Sequence, residues 1–266
     1  MINDILEKII FSKKKEIQKK KVNNPIDKLK YSSFFNRKTI SLRKNIKKNK
    51  YGIIAEFKSK SPSNGIINNC SFLEDVVKGY ELSKVSGISI LTDFDFFSGH
   101  INNIKKIRNL INIPILRKDF IIDEYQIIES KSIGSDVILL IAYFLSKNDI
   151  QNLSNIAKSI GLEVILEIHK ENEIEKITEN IDFVGVNNRD LKSFKVIKNN
   201  CVELFSKIPN KYIKIAESGI NSIEYVIKLK KIGFKGFLIG EYFMKSKNPA
   251  KKCKIFMDSL YRKEQK

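Results

Sequence analysis

Short apolar runs and longer amphipathic stretches alternate along the chain from residue 51 onward. The runs are rich in Val, Ile and Leu, which is typical of strands buried on both faces of a parallel sheet. Eight of them predict strands: GIIAEFK (52–58), ISILTD (88–93), IPILRKD (113–119), DVILLIA (136–142), EVILEIH (163–169), DFVGVNN (182–188), YIKIAES (212–218) and GFLIGE (236–241). The intervals carry apolar residues at helical spacing. The predicted helices span 72–85, 102–110, 123–133, 147–160, 171–178, 200–206, 222–232 and 249–260.

Eight strand–helix units predict one TIM (β/α)8 barrel, an α/β fold, over residues 51–266. Residues 1–50 are expected to form a helical extension, with one helix over residues 2–20 and another before residue 50. We therefore treat residues 1–266 as a single domain. A doubly wound open sheet is the alternative, but no GxGxxG or P-loop motif follows any predicted strand.

The net charge of +19 is concentrated at the start of the chain, where residues 1–50 hold 16 Lys and Arg against 4 Asp and Glu. A basic arm of this kind is a candidate for RNA binding. It lacks interleaved aromatic residues, a Gly-rich RNA-binding loop and zinc-finger spacing, so we predict no nucleic-acid partner. The lysines between Lys13 and Lys21 are instead expected to form a solvated face. The positive field should favour small anionic substrates.

Cysteine and histidine are scarce, with three and two residues respectively. Cys70, Cys201 and Cys253 form no CxxC pair, which predicts reduced thiols and no metal site. The longest apolar run, residues 137–145, is too short to cross a bilayer. The first residues also lack the order of a signal peptide. We therefore expect a cytoplasmic protein with no membrane partner.

The segment IAEFKSKSPS (residues 54–63) is the most informative about chemistry. Side chains alternate faces along a strand, so Glu56 and Lys58 project the same way. A buried carboxylate and a buried ammonium are both costly unless they are paired. Taken alone, a surface ion pair followed by a turn would also explain this segment. Later strands, however, end in the same way, with Asp93, Lys118 and Asp119, Glu167, Asn187 and Arg189, Glu217 and Ser218, and Gly240.

The direction of these side chains supports a barrel with its chemistry at one end. Alternation places Lys118 on the face of Leu116 and Glu167 on the face of Ile165. These charged groups would therefore cap apolar layers inside the barrel. Active sites of TIM barrels lie at the carboxyl ends of the strands. We predict an active site there.

Seven segments resemble, in this order, the successive motifs of the indole-3-glycerol phosphate synthase family: IAEFKSKSPS, ILTDFDFFSG, PILRKDFIIDEYQI, LEVILEIH, VGVNNRDLKSF, IAESGI and GFLIGEYFMK. The resemblance runs from about residue 50 to residue 246, over all eight predicted strands. The third and fifth segments are specific, whereas AESGI and LIGE also fit other phosphate-binding barrels. Residues 1–50 resemble the family only as a basic helical extension, which in the family helps to cover the aromatic ring of the substrate.

The resemblance implies conversion of 1-(2-carboxyphenylamino)-1-deoxyribulose 5-phosphate to indole-3-glycerol phosphate, with loss of CO2 and water and without metal or cofactor. By the same analogy, Lys118 is the acid that protonates the ribulose carbonyl, and Glu167 is the base for dehydration. We expect the partly dry pocket to lower the pKa of Lys118 toward the working range. Glu56 and Lys58 match the pair that steers Lys118, with Lys58 a candidate acid for the departing hydroxyl. Asn187 matches a substrate-orienting amide.

The resemblance also implies residues that bind the two ends of the substrate. Arg189 suits the anthranilate carboxylate, because its planar guanidinium can bind two oxygens. Phe120 would line the wall against the anthranilate ring, and Glu217 lies in the same pocket. The phosphate would be bound by the loops after the first, seventh and eighth strands, through Lys60, Ser61, Ser218, Gly219, Gly240 and Glu241.

Phosphoribosylanthranilate isomerase, a related barrel with the same type of phosphate loops, is the enzymatic alternative. It uses a Cys/Asp acid–base pair, whereas no cysteine of this chain ends a predicted strand. We expect a monomeric enzyme whose substrate is a small anionic sugar phosphate carrying an anthranilate ring.

Overall fold

Eight parallel strands close into a barrel in the computed structural model, which describes residues 3–197 and 199–263. Each strand pairs with its neighbours in chain order, and the last pairs with the first. The strands are β1 (Gly52–Phe57), β2 (Gly87–Leu91), β3 (Ile115–Lys118), β4 (Val137–Ile141), β5 (Glu163–Ile168), β6 (Phe183–Asn187), β7 (Ile213–Glu217) and β8 (Gly236–Ile239). The predicted TIM barrel is confirmed, and the open sheet is wrong.

Helices cover the outside of the barrel and both of its ends. The α-helices are Asn3–Asn23, Ile26–Lys30, Leu42–Lys48, Leu73–Leu82, Phe94–Phe97, Ile101–Arg108, Glu124–Ser132, Lys147–Ser159, Asn200–Phe205, Ile223–Ile232, Glu241–Met244 and Pro249–Arg262. None of these described helices is both long and apolar enough to span a membrane.

Several features of the loops differ from the sequence prediction, among them the short helices Phe94–Phe97 and Glu241–Met244, which were not predicted. The helix expected over residues 171–178 is a 3-10 turn, Glu171–Lys176. It stays tight because the Glu173 carboxylate accepts a hydrogen bond from the His169 backbone N–H at 2.6 Å. A two-stranded hairpin, Lys60–Ser61 with Gly65–Ile66, follows β1 and was not predicted. Its strands are two residues long, too short for alternation to show in the sequence.

One apolar cluster fills the barrel lumen. A second lies between the outer face of the strands and the surrounding helices. Leu116 and Ile165 belong to the lumen cluster, as predicted for the residues that share a face with Lys118 and Glu167. The neighbouring positions Ile115 and Val164 face the surrounding helices. This alternation directs the side chains at the carboxyl ends of the strands into the mouth of the barrel.

The extension closes the amino-terminal end of the barrel. Leu42 belongs to the lumen cluster and lies on a helix that begins after Ser41, whose hydroxyl accepts the Lys44 N–H. The fully buried Asp136, just before β4, binds this segment to the barrel. Its carboxylate lies 2.7 Å from guanidinium nitrogens of both Arg37 and Arg108, and it also accepts two backbone N–H groups.

The first helix, Asn3–Asn23, lies at the opposite end, and it corrects the prediction for its lysines. Lys13 is only 1% exposed, because it follows Leu6 and Ile9 and precedes Ile17 on one buried helical face. Its ammonium forms ion pairs with Asp93 and Asp119. Lys20 is half-buried and pairs with Glu16 and Glu129, whereas Lys14, Lys15 and Lys19 are exposed. Lys13 is therefore not part of the predicted solvated face, and that part of the prediction is wrong.

Replacing Asp136 by Asn should destabilise the fold without changing the affinity for substrate. The substitution leaves the Arg108 guanidinium buried without its carboxylate, which typically costs about 3–5 kcal/mol. Urea unfolding monitored by circular dichroism measures the loss. The control is Asp258→Asn, since Asp258 forms a surface ion pair with Lys254 worth at most about 1 kcal/mol. Equal losses in the two variants would contradict this account of the barrel base.

Candidate active site

A cavity of about 780 Å³ opens at the carboxyl ends of the barrel strands. The structure brings almost all of the predicted site residues together around it. Those that line the cavity are Glu56, Lys58, Ser61, Lys118, Phe120, Glu167, Asn187, Arg189, Glu217, Ser218, Gly219, Gly240 and Glu241. Lys60, on the hairpin after β1, is the one predicted site residue that does not line it. The roles of these residues stay predictions.

Lys118, the last residue of β3, occupies the centre of the cavity floor. Its Nζ lies 2.7 Å from Glu167 Oε2 and 3.4 Å from Glu217 Oε2. Burial lowers the pKa of Lys118, but the carboxylates of Glu167, Glu217 and Glu56 outweigh burial and hold the pKa above its ordinary value. The expected lowering is therefore wrong for this state of the site. Lys118 is a charged ammonium at neutral pH.

Glu167, near the end of β5, is held in its ionised form. Besides Lys118, its carboxylate accepts a hydrogen bond from Asn187 Nδ2 at 3.1 Å and lies 3.1 Å from His169 Nε2. Burial raises the pKa of Glu167, but Lys118 and His169 lower it well below the ordinary range. A carboxylate with fixed partners on both oxygens is oriented before substrate arrives.

Glu217, the last residue of β7, is in the opposite protonation state. Burial raises its pKa, Lys118 opposes this, and the negative charges of Glu167 and Glu56 add to it, so that the pKa is about 8. Its carboxyl group fits beside β6 because residue 185 is glycine, since a Cβ there would collide with Glu217 Oε1. Two neighbouring carboxyl groups with different pKa values suit acid and base roles.

Glu56 and Lys58 form the predicted pair on one face at the end of β1. Lys58 Nζ lies 2.9 Å from Glu56 Oε1, and the Ser89 hydroxyl on β2 donates weakly to Glu56 Oε2 at 3.4 Å. Gly240, just after β8, leaves the space for this carboxylate, because a Cβ at that position would collide with Glu56 Oε1. The ion pair places a second ammonium at the cavity.

His169 is a residue that the sequence analysis missed. It is buried, with Nε2 3.1 Å from Glu167 Oε1 and Nδ1 3.8 Å from Glu173 Oε2. Burial lowers the pKa of His169, but the two carboxylates raise it to about 9. The sequence did hold a signal for its location, because residues two positions apart on a strand face the same way and His169 follows Glu167 by two. The imidazolium adds positive charge behind Glu167.

An aromatic wall forms one side of the cavity. The Phe120 ring lies 6.1 Å from the Phe97 ring and 5.7 Å from the Phe144 ring, the latter in edge-to-face contact. Leu6 and Ile9 of the first helix belong to the same apolar cluster. The first helix therefore shares an apolar cluster with the aromatic wall.

Polar loops form the other side. Ser218 and Gly219, directly after β7, both have positive φ, at 65° and 71°. A Cβ on Gly219 would also lie 2.6 Å from Val196 Cγ1, so the backbone at residue 219 passes close to the Val196 side chain. The Arg189 guanidinium reaches toward this side, where its Nη2 lies 3.1 Å from Glu241 Oε2 and its Nη1 donates to the Ser63 hydroxyl at 3.2 Å.

Comparison with known proteins identifies relatives over nearly the whole chain. The family described as indole-3-glycerol phosphate synthase matches residues 6–256. The protein of that name from Bacteroides thetaiotaomicron is 39% identical over 97% of this chain and 100% of its own length. The one from Caldanaerobacter subterraneus subsp. tengcongensis is 43% identical over 91% of this chain and 93% of its own.

Among solved structures, tryptophan synthase subunit alpha from Legionella pneumophila superposes with a TM-score of 0.61 at 12% identity. The superposition covers 83% of this chain and 97% of that protein. The 3-hexulose-6-phosphate synthase of Salmonella typhimurium gives a TM-score of 0.60 at 15% identity, over 79% and 99%. At this identity the likeness extends to the fold alone.

The unusual pKa of Glu217 predicts a pH-dependent effect on stability. In the unfolded chain this carboxyl titrates near the ordinary value of 4.5, whereas in the folded protein it titrates near 8. Stability is therefore lost as pH rises from 4.5 to 8, because only the unfolded state releases the proton freely. Glu217→Gln should remove this loss, so the variant should gain stability relative to wild type between about pH 5 and about pH 9.

Urea unfolding of both proteins at the two pH values measures this gain, and Glu179→Gln, at an exposed glutamate, is the control. A difference between variant and wild type that is the same at both pH values would contradict the assigned protonation state of Glu217.

Proposed function

The chain belongs to the indole-3-glycerol phosphate synthase family, and we propose that the cavity at the carboxyl ends of its strands performs the reaction of that family. The enzyme is a carboxy-lyase of tryptophan biosynthesis. It converts 1-(2-carboxyphenylamino)-1-deoxyribulose 5-phosphate to indole-3-glycerol phosphate, CO2 and water. The observation that carries the proposal is the central cluster, in which the Lys118 ammonium lies between ionised Glu167 and neutral Glu217.

In the first step, Lys118 donates a proton to the ribulose carbonyl oxygen as the aromatic carbon bearing the carboxylate attacks the carbonyl carbon. The raised pKa of Lys118 ensures that the proton is present when substrate binds. It does not prevent the transfer, because the developing alkoxide is more basic than an amine. Glu167, at 2.7 Å, orients the ammonium. Such positioned proton donors contribute about 10²–10⁴-fold to a rate.

Loss of CO2 then restores the aromatic ring, and loss of the hydroxyl as water completes the indole. Glu167 is the base that removes the proton for dehydration, held in orientation by Asn187. Lys58 is the acid for the departing hydroxyl, and Glu56 holds its ammonium at 2.9 Å. The two acids are held by different carboxylates, Lys118 by Glu167 and Lys58 by Glu56.

The two ends of the substrate are proposed to bind on opposite sides of this cluster. The anthranilate ring packs on the aromatic wall at Phe120. In the structure Arg189 lies on the polar side, 3.1 Å from Glu241 Oε2, and it binds the carboxylate of the ring after releasing this contact and turning toward the central cluster. The phosphate binds the backbone N–H groups around Ser218, Gly219, Gly240 and Glu241, together with the Ser61 hydroxyl. Lys60 lies on the hairpin after β1, outside the cavity lining, and would turn inward to supply its cation.

The remaining features are proposed from the sequence and the family. We propose a single domain over residues 1–266 and a cytoplasmic monomer that acts on a small-molecule substrate and binds no nucleic acid. The isomerase alternative needs a catalytic cysteine, but none of Cys70, Cys201 and Cys253 lines the cavity as the structure describes it. Two of the three, Cys201 and Cys253, are buried in helices.

Gly219→Asp should weaken phosphate binding far more than it weakens the fold. The new carboxylate would repel the substrate phosphate, raising KM by about tenfold or more. The control is Gly161→Asp, which introduces the same charge at another positive φ, 80°, at the opposite end of the barrel. Steady-state kinetics and competition by inorganic phosphate measure the effect. If both variants bind phosphate as wild type does, the loop after β7 is only a turn.

Lys118→Met and Glu167→Gln should stop the reaction at different steps. Without its proton donor, the Lys118 variant should fail to close the ring, so that neither CO2 nor fluorescent indole product appears. The expected loss is about 10²–10⁴-fold. Glu167→Gln keeps the shape but removes the base, so CO2 release should persist in a single turnover while fluorescent product is delayed. Rapid mixing with CO2 detection and indole fluorescence distinguishes the two variants.

The control for these variants is Lys214→Met, since Lys214 is a buried strand lysine whose ammonium donates to the Phe205 carbonyl, away from the cavity. It should retain turnover. Near-normal turnover by the Lys118→Met protein would refute the central assignment. Absence of fluorescent product from the wild type would refute the proposed reaction itself.

A further inference from the structure

We propose that Lys13 of the first helix is a positioning residue of the active site. Its ammonium binds Asp93 and Asp119, and it thereby fixes the segments after β2 and β3 that carry the aromatic wall and the central lysine. The inference rests on the roles proposed above for Lys118 and Phe120. It extends the site to a helix more than 100 residues away in sequence.

The ammonium is enclosed by carboxylates at ion-pair distance. Lys13 Nζ lies 2.9 Å from Asp93 Oδ2, 3.0 Å from Asp119 Oδ1 and 2.7 Å from Glu16 Oε2. The side chains of Lys13 and Asp119 are 2% and 1% exposed. Burying such charges is costly unless their geometry is good and their remaining hydrogen-bonding positions are satisfied. That condition is met here.

Asp119 transmits this contact to Lys118 and Phe120, its neighbours in the chain. Its Oδ1 accepts the Phe120 backbone N–H at 2.8 Å, in addition to Lys13. Its Oδ2 accepts the Thr92 hydroxyl at 2.6 Å and Arg117 Nη2 at 3.0 Å. With four donors the carboxylate has one orientation, which fixes the backbone between the end of β3 and the aromatic wall.

Asp93 connects the Lys13 ammonium to Phe97, the aromatic residue that packs on Phe120. Its Oδ1 accepts the Phe96 backbone N–H at 2.9 Å and begins the short helix Phe94–Phe97. The Phe97 ring at the end of this helix packs on Phe120. Removing the ammonium would leave the Asp93 and Asp119 carboxylates facing each other in a buried position. Their repulsion would separate the two segments that Lys13 now joins.

Comparison with other lysines shows that the arrangement is specific to the mouth of the barrel. Lys131 and Lys214 are also buried, but the ammonium of Lys131 donates to the Arg37 carbonyl and that of Lys214 to the Phe205 carbonyl. Neither lies at the cavity. Lys13, in contrast, binds two carboxylate residues that both line it. Its position favours a role in the site over a role in general stability.

Lys13→Met should lower kcat by about 10²-fold, the loss expected when distant support of a reacting group shifts it by about 1 Å. KM for the substrate should rise, because the aromatic wall loses its alignment. Inhibition by inorganic phosphate should be unchanged, because the loop after β7 does not contact this network. Lys14→Met, one position away on the exposed face, is the matched control and should behave as wild type. Lys13→Arg should restore much of the turnover.

A double variant separates positioning from stability. Lys13→Met with Asp93→Asn removes the Asp93 carboxylate, which has lost its lysine, and keeps a residue that caps helices well. We expect it to melt at a higher temperature than Lys13→Met while its kcat stays low, since Asp119 keeps Arg117 but still lacks the Lys13 ammonium. Wild-type kcat per folded molecule in Lys13→Met, or a kcat that recovers together with the melting temperature, would overturn the proposal. If Lys118→Met also retained turnover, the proposed roles would fail instead.

Discussion

The structure depends on how the buried carboxyl groups at the mouth of the barrel are neutralised, either by a proton or by an ammonium group. Glu56, Glu167 and Glu217 point into one apolar-walled space, and Lys118 is the ammonium that lies between the last two. In a medium of low polarity three ionised carboxylates in one space would repel one another strongly, even with Lys58 beside Glu56 and His169 beside Glu167. The repulsion is resolved because Glu217 keeps its proton while Glu167 gives its proton up. The chemistry assigned to the site follows from this unequal sharing.

The surrounding fold provides the space and the side-chain directions that this arrangement needs. Glycine at positions 185 and 240 leaves the space that the carboxyl groups of Glu217 and Glu56 occupy. Strand alternation directs charged groups into the mouth and apolar groups into the lumen below. The carboxylates that give stability at the base, around Asp136, are at the other end of the barrel from those that give reactivity. A substitution at the base can therefore change stability without touching the residues of the site.

The sequence was sufficient to predict the barrel, all eight strands and the residues that meet at their ends, because these depend on local periodicity. It was insufficient wherever a property depends on residues distant in the chain. The sign of the Lys118 pKa shift is set by carboxylates on β5 and β7, which outweigh the burial that the pocket alone suggested. The buried position of Lys13 depends on carboxylates that appear 80 and 106 positions later. The helical spacing of Leu6, Ile9, Lys13 and Ile17 indicated that Lys13 lies on the buried face of the first helix. The many other charged residues in this segment obscured that spacing.

The placement of the extension has a consequence for synthesis of the chain. This segment is translated before the barrel carboxylates that bind it, since Asp93, Asp119, Asp136 and Glu163 all follow later in the chain. The segment must wait as a free polypeptide until more than half of the barrel has been made, because contacts distant in sequence form late. Its surplus of lysine and arginine keeps the waiting segment hydrated and self-repelling. A segment translated before the barrel is thus among the last to reach its folded position.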